Sequence, residues 1–383
     1  MAFNGQSIGN MKIGINARFL AHPYTGIGQY TYNLVQALGK IDKKNEYLLF
    51  TPELVELQLP DNFRQIRIPE KEYKSESLRK THWEHVLIPQ EIKKWNVELA
   101  HFLYPSNPKK KLGIPTIVTV HDVIPWVLPS YRKRLRSKIY HLYTKLALKK
   151  ADHIITVSNF SKDEIMRVLK IEEKNIHVTY LAPPLQSKKD TPPDMPLRRD
   201  FLLYVGGYDE RKNIPQLMEA YQKHIANHYS IDLILIGGEN KGLEQYLTDE
   251  YCERVDGRFL VKPKGKIVFT EPLPPNELTT LYKQGKALVH MSTYEGFNLP
   301  LVEAMSNGLP IICADIPVNH EVTDENAHFV DPSTVDTIGI GIHEFLNKKN
   351  LQSELKKKGR ERAKDFDWKK TAEETLYVYN LFT

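Results

Sequence analysis

"KALVHMSTYEGFNLPLVEAMSNGLPIICAD", residues 286–315, carries a strand, a loop, a helix and a second strand in one short run. Lys286 to Met291 is an apolar stretch that reads as a strand, and Ser292 to Leu299 reads as a tight loop. Pro300 suits the first helical position, where its missing N–H is no loss. Gly308 suits the residue just past the helix end, and Pro310 stops the helix from continuing. Two carboxylates fall in this unit, Glu295 in the loop and Glu303 inside the helix. The backbone N–H groups of Phe297, Asn298 and Leu299 are expected to point out of the helix mouth, where the dipole favours an anion. Carboxylates beside an anion site fit a ligand with both hydroxyl and phosphate groups, as in a nucleotide sugar.

The same alternation runs along the whole chain. "MKIGIN", "EYLLFT", "VELAHF", "TIVTVHD" and "HIITVS" read as strands in the first half; "FLLYVGG", "DLILIGG", "KIVFTE", "KALVHMS" and "LPIICAD" in the second. Strands separated by helices imply parallel sheets covered on both faces. The stretch "KKDTPPDMPLRRD" (188–200) is rich in proline and charge and has no periodicity, which marks a linker. The expected class is therefore α/β, with two doubly wound Rossmann-like domains. Their expected bounds are 11–190 and 200–365, joined by a linker at 191–199. Residues 1–10, polar and without an apolar signal core, are read as a flexible leader, with Met11 a plausible natural start. Residues 366–383 contain one amphipathic helix that is expected to pack back on the first domain.

A length of 383 residues suits two domains with sizeable cores, and 41% hydrophobic with 26% charged residues excludes a membrane-spanning or disordered chain. No apolar run approaches the roughly 20 residues that cross a bilayer. Cys252 and Cys313 have no metal-ligand spacing and no disulfide framework, which points to a reducing compartment. Charge is unevenly shared: residues 1–200 hold 32 Lys and Arg against 20 Asp and Glu, and the rest hold 21 against 27. That asymmetry directs an anionic partner to the first half. The basic runs "NPKKK" (107–111) and "YRKRLRSK" (131–138) lie there, the second with apolar residues at helical spacing. They read as a solvated basic face, or as a surface for anionic lipid head groups or a lipid-linked phosphate acceptor. Neither lies in a nucleic-acid module, so no nucleic-acid partner is expected.

Other candidates follow from position. Ligands of open α/β sheets bind at the carboxyl ends of strands. "YVGGYDERKNI" places Gly206 and Gly207 at such an end, followed by Arg211 and Lys212, a fork and a point charge suited to a diphosphate. "TVHDVIP" ends another strand with His121 and Asp122, residues that read either as structural or as part of a site. Gly26 and Gly28 stand just ahead of a helix like a phosphate loop, but Thr31 takes the place of the third glycine of G-x-G-x-x-G. A plain tight turn explains them equally well. In "TVSNFSKDEI", Ser158 or Ser161 is expected to cap the following helix.

Taken together, "GINARFL…TGIGQYTYNLVQAL", "VTVHDVIP", "ADHIITVSNFSKDEI", "YVGGYDERKNI" and "YEGFNLPLVEAMSNGLPIICAD" resemble the retaining glycosyltransferases of family 4, with the E-x7-E signature met by Glu295 and Glu303. The resemblance covers nearly the whole chain. It implies the GT-B fold, two Rossmann-like domains facing across a cleft, and a hexose transferred with retention from a nucleotide-sugar donor to a glycan or lipid-linked acceptor. It implies that Arg211 and Lys212 neutralise the diphosphate, that backbone at Gly206, Gly207, Gly296, Phe297, Asn298 and Leu299 lines the donor, and that Glu303 takes the ribose diol. Glu295 and His121 then face the donor sugar, Gly26, Gly28 and Asp122 border the acceptor side, and the base lies near Val268 and Phe269. Asn298 departs from the glycine often found at its position, which puts sugar-hydroxyl selectivity in question. "NARFL…TGIGQY" with "HDVIP" looks most like the mannosyltransferase branch, hence GDP-mannose, with UDP-sugars such as UDP-glucose next. No D-x-D motif lies in a suitable loop, so neither metal nor cofactor is expected. The expected place is the cytoplasm, at or near the inner face of the membrane, in cell-surface polysaccharide synthesis. Rival readings are a glycoside hydrolase, a nucleotide-sugar epimerase and a non-catalytic nucleotide-sugar-binding protein.

Overall fold

The computed structural model describes residues 10–383 apart from 24, 74, 133–134, 185–190, 192–199, 239–242, 244–252, 256–257 and 261–264. The leader (1–9), nearly all of the linker (192–199) and Cys252 thus lie outside the described residues. Each short apolar run becomes a strand. Seven form one sheet: β1 (Lys12–Asn16), β2 (Glu46–Thr51), β3 (Phe63–Arg67), β4 (Leu99–Phe102), β5 (Thr116–Thr119), β6 (His153–Thr156) and β7 (Ile176–Val178). Their order is β3-β2-β1-β4-β5-β6-β7, and every pair is parallel.

A second all-parallel sheet holds β8 (Asp200–Val205), β9 (Ile231–Ile236), β12 (Ile267–Thr270), β13 (Ala287–His290), β14 (Ile311–Ala314) and β15 (His328–Val330), in the order β12-β9-β8-β13-β14-β15. A small antiparallel hairpin, β10 (Glu253–Val255) with β11 (Arg258–Leu260), precedes β12. In each large sheet the chain steps outward on one side of the first strand and then returns to its other side, so the order reverses between β1 and β4 and between β8 and β13. Those reversals are where loops diverge and leave a crevice at the carboxyl edge.

β3, β7 and β15 were not expected from the sequence. Phe63–Arg67 buries only Phe63 and Ile66 and is otherwise polar, as befits a sheet edge, and the other two strands are only three residues long.

The chain divides into two units: one runs to Leu181 and includes Asp367–Thr383, and the other is Ala182–Phe366. The helix Trp368–Tyr379 belongs to the first. Tyr379 Oη lies 2.7 Å from His101 Nδ1, His101 Nε2 lies 2.9 Å from Thr119 Oγ1, and Thr371 donates to the Tyr180 carbonyl at 2.6 Å. These tie the last helix to β4, β5 and the end of the first unit. Each unit has its own core. Leu48, Phe50, Trp83, Phe102, Val118 and Ile154 form part of one; Leu202, Leu217, Met218, Leu233, Val289 and Phe345 form part of the other. Cys313 is buried within β14.

Candidate functional site

In the second unit two neighbouring strand ends build the site. After β8, Gly206 N donates to the Ile236 carbonyl at 2.9 Å, and Tyr204 Oη donates to the Gly207 carbonyl at 2.6 Å. A single 3-10 turn, Glu210–Lys212, leads to Asn213 in the left-handed region (φ 58°) and then to the helix Ile214–Tyr221, with Pro215 in its first turn. After β13 the chain loops to Asn298, also left-handed (φ 74°), and enters the helix Leu299–Asn307 with Pro300 in its first turn. Gly308, with φ 69°, ends that helix in the conformation that favours glycine.

The two loops meet at a charged trio. Glu295 is 6% exposed and Lys212 8% exposed. Glu295 Oε1 accepts from Lys212 Nζ at 2.5 Å, and its Oε2 accepts from Arg211 Nη1 at 2.5 Å. Arg211 Nη1 also donates to the Tyr294 carbonyl at 3.0 Å, while Thr293 N donates to the Arg211 carbonyl at 2.8 Å. Burial alone raises a carboxyl's pKa, but here Lys212 and Arg211 outweigh it and hold Glu295 down at about 2. The trio alone carries one net positive charge, and Asp209 Oδ1, 3.1 Å from Arg211 Nε on the more exposed side, balances it; an anionic ligand competes with Asp209 for that cation. Arg211 and Lys212 are thus placed by Glu295 rather than left to solvent.

Beneath the trio lies a neutral polar chain. Asn298 Nδ2 donates to His290 Nδ1 at 3.2 Å and to Asn319 Oδ1 at 2.9 Å; Asn319 Nδ2 donates to the Ala314 carbonyl at 2.8 Å. His290 stacks on Tyr204 with ring centroids 5.5 Å apart. Burial, then the Lys212 charge, lowers the pKa of His290 to about 3, so the ring is neutral. Its Nε2 and the Asn298 Oδ1 are buried with no hydrogen-bond partner among the described residues.

The other expected donor residues stand as follows. Glu303 sits in the helix Leu299–Asn307, half-buried, and accepts from Tyr282 Oη at 2.6 Å; burial raises its pKa. Gly206, Gly207 and the 296–299 backbone border the trio in sequence. Val268 is half-buried in β12, whereas Phe269 is buried in the core and packs edge-on against Tyr208, with centroids 6.2 Å apart.

In the first unit the candidates are bound up in local structure. His121 is half-buried, and its Nε2 lies 3.0 Å from the Leu103 carbonyl, so that nitrogen carries the proton and Nδ1 is the acceptor. Its ring meets Tyr30 edge-on, with centroids 4.7 Å apart, and burial lowers its pKa to about 4. Asp122 Oδ1 accepts from Ile124 N at 2.9 Å, within its own turn. Gly26 and Gly28 do not precede the helix, as the sequence suggested; they lie inside the first turn of Gly26–Ile41. Thr25 is the reason: as the N-cap it accepts from Gly28 N at 3.0 Å and so starts the helix at Gly26, the first of the two expected loop glycines. A Cβ at residue 28 would lie 2.0 Å from the His22 carbonyl oxygen, whereas one at residue 26 would meet nothing within 4 Å. Thr31, in place of a third glycine, donates to the Ile27 carbonyl at 2.7 Å. Ser158, the other expected local structure, caps Asn159–Leu169 by accepting from Ser161 N at 2.9 Å.

The basic surface of this unit is described in part. Lys133 and Arg134 lie outside the described residues. The helix Leu135–Leu148 exposes Ile139, Leu142, Tyr143 and Leu146, four large apolar side chains at helical spacing. Beside it lies a cavity of about 540 Å³ lined by Trp126, Arg132, Lys138, His141, Leu142 and Lys145. Among the described residues no helix is long and apolar enough to cross a membrane.

Sequence reasoning missed the chain beneath the trio (Tyr204, His290 and Asn319). One signal was present: "NIP" at 213–215 and "NLP" at 298–300 repeat the same Asn-x-Pro entry into a helix.

Comparison with known proteins agrees with this architecture. Residues 187–362 match the family model of glycosyl transferases group 1, and residues 24–182 match Glycosyltransferase Family 4. The fold and the two matched families define a glycosyltransferase of the GT-B type. The chain is 28% identical over 403 residues to O-antigen chain mannosyltransferase B of Escherichia coli, covering 97% of this chain and 100% of that one. It is 30% identical over 221 residues to the O-antigen chain mannosyltransferase RfbU of Salmonella typhimurium, covering 56% of each chain. Sucrose-phosphate synthase from Thermosynechococcus elongatus shares the fold, with a TM-score of 0.74 at 19% identity over 97% of this chain and 99% of that one.

Proposed function

We propose that the protein transfers a hexose, mannose from GDP-mannose, to a glycan or lipid-linked acceptor with retention at the anomeric carbon, in the synthesis of a cell-surface polysaccharide. The observation that carries this is the Arg211–Lys212–Glu295 trio at the ends of two adjacent parallel strands, where two cations are held in place for a diphosphate that would displace the Asp209 carboxylate from Arg211. The names of the two bacterial relatives support mannose and a polysaccharide product.

In the proposed reaction the bond from the anomeric carbon to the diphosphate oxygen breaks, and the acceptor oxygen bonds to that carbon on the same face. The acceptor's proton passes to the departing phosphate oxygen. Charge growing on the leaving group is met by Lys212, Arg211 and the N–H groups at the start of Leu299–Asn307, in positions that need no reorganisation. Two fixed cations supply what a metal ion otherwise would, so turnover is expected to survive a chelator. Glu303 is assigned to the ribose diol, Glu295 and His121 to the donor sugar, and the Gly26–Gly28 turn with Asp122 to the acceptor side.

The test is a thermal-shift panel of GDP, UDP, ADP, GDP-mannose and UDP-glucose without metal. At about 100 times its Kd a ligand stabilises the native state by roughly 2.7 kcal/mol, a shift on the order of 2 °C or more. A shift with GDP and GDP-mannose alone is the expected result. A shift confined to uridine nucleotides replaces mannose with a UDP-sugar, and no shift at all removes the diphosphate seat.

The acceptor partner is proposed to lie at an anionic membrane surface on the cytoplasmic side. The exposed apolar face of Leu135–Leu148, flanked by Lys138 and Lys145, supports this. Flotation with phosphatidylcholine vesicles, with and without phosphatidylglycerol, tests it: binding is expected only with the anionic lipid, and no binding to either removes the proposal.

A further inference from the structure

Asn298 carries an inference that rests on the diphosphate reading of the trio and deepens it. We propose that Asn298 is a positioning residue: its side-chain amide ties the loop after β13 to β13 itself and to the end of β14, and so fixes the N–H groups of residues 297–299 toward the diphosphate.

The backbone sets up the question. At φ 74° and ψ 61°, Asn298 occupies a region that glycine enters freely and asparagine tolerates. If permissiveness were all that the position required, the side chain would be idle. Instead it is 5% exposed and both of its N–H bonds are used, one toward His290 and one toward Asn319. Asn319 is itself held, donating to the Ala314 carbonyl at 2.8 Å while its own carbonyl accepts from Thr323 at 2.7 Å. On the other side His290 lies against Tyr204, whose hydroxyl reaches the Gly207 carbonyl. The tie therefore spans three adjacent strand ends, those of β8, β13 and β14.

A second turn repeats the design. Asn213 is left-handed (φ 58°), is followed by Ile-Pro as Asn298 is by Leu-Pro, and spends its amide on the Pro332 carbonyl at 2.9 Å. One tethered asparagine follows Lys212 directly and the other closes the loop that carries Glu295, so the charged trio is bracketed on both loops. At its near end the same loop is held by Arg211, through Thr293 N and the Tyr294 carbonyl. With both ends pinned, the loop cannot rotate its N–H groups without breaking a buried hydrogen bond.

The experiment is calorimetric titration of GDP and, separately, UDP into the full chain and the variants Asn298→Gly, Asn319→Ala, the double variant and Lys212→Ala. Glycine keeps the backbone angle and removes the tie. For whichever nucleotide the unaltered protein binds, Asn298→Gly and Asn319→Ala are each expected to weaken binding about tenfold. The double variant is expected to be no weaker than either single one, because both break the same tie. Melting temperature should fall by no more than about 3 °C in Asn298→Gly. Unchanged binding in Asn298→Gly, or losses that add in the double variant, overturns the proposal while leaving the diphosphate seat intact. Unchanged binding in Lys212→Ala, or an unaltered protein that binds neither nucleotide, removes the seat and the positioning role with it.

Discussion

The loops at the carboxyl ends of the two sheets answer the same topological situation in opposite ways. In the second unit, three ionised side chains are drawn together, Lys212 and Glu295 buried and Arg211 half-buried, with Lys212 and Arg211 each 2.5 Å from Glu295. In the first, Arg18 is buried between Glu70 and Glu76, 2.7 Å from each, but the candidate residues are dispersed and locally engaged: His121 by the Leu103 carbonyl, Asp122 by Ile124 N, and Gly28 N by the Thr25 hydroxyl. A desolvated charge cluster has no structural necessity and is costly unless fully paired, whereas bonds to backbone complete turns that the fold needs anyway. The charged trio drawn from two strand ends is therefore the stronger mark of ligand chemistry, and the first unit's role is better sought in shape and surface.

That contrast can be broken most directly by activity. Lys212→Ala and Glu295→Gln are expected to lower turnover by about 10²–10³-fold, the scale of losing one preorganised electrostatic partner. His121→Ala is expected to lower it only about tenfold, as for one polar contact. Equal losses at 121 and 212, in steady-state transfer assays, would erase the distinction between the units.

The next test concerns the two glycines of the first unit. Gly28→Ala drives a Cβ into the His22 carbonyl, and the obstacle is backbone, so a loss of about 1–3 kcal/mol is expected, several degrees in Tm. Gly26→Ala meets open space and is expected to be neutral or to stabilise by up to ~1 kcal/mol. Scanning calorimetry separates them, and equal melting points would show that the turn yields.

The smallest effects expected are in pH dependence, where two histidines differ in sign. Burial holds His121 at about 4 against an ordinary 6.5, so the unfolded chain binds the extra proton between those values, and the residue's contribution to stability falls as pH drops from 6.5 to 4. His320 is half-exposed, and burial, which alone lowers its pKa, is outweighed by Asp315 and Glu325 at 2.7 and 2.8 Å. Its pKa is raised, so its stabilisation is complete below 6.5 and is lost as pH rises through the folded value. Because the partners are exposed, the gain is at most ~1 kcal/mol. His320→Gln should therefore lower Tm slightly in mild acid and not at all in alkali. A pH-independent decrement would show that His320 acts by packing instead.

Much of this architecture was legible in the residues. Ten strands announced themselves as apolar β-branched runs, because strands buried on both faces need no polar alternation. The punctuation at Pro300 and Gly308 likewise located the helix Leu299–Asn307. Edge strands such as Phe63–Arg67 were invisible because half their residues face solvent. At the site, Arg211, Lys212 and Glu295 could each be nominated from position along a strand, but that Glu295 joins the other two is a consequence of β8 and β13 being neighbours, which pairing decides and local sequence does not. Nothing in the local sequence singled out His290 or Asn319. Only the left-handed turn at Asn298 gives them a shared partner.

The helix Trp368–Tyr379 completes the first unit although it is the last helix in the sequence, and this sets an order of assembly. On a ribosome, the strands of the first sheet emerge early but wait for Tyr379 to reach His101 and for Thr371 to reach Tyr180. The second unit is one uninterrupted stretch and needs no residue beyond Phe366. A chain lacking residues 367–383 would therefore present a complete second unit with a first unit whose aromatic interior is uncovered, a species for chaperones to hold.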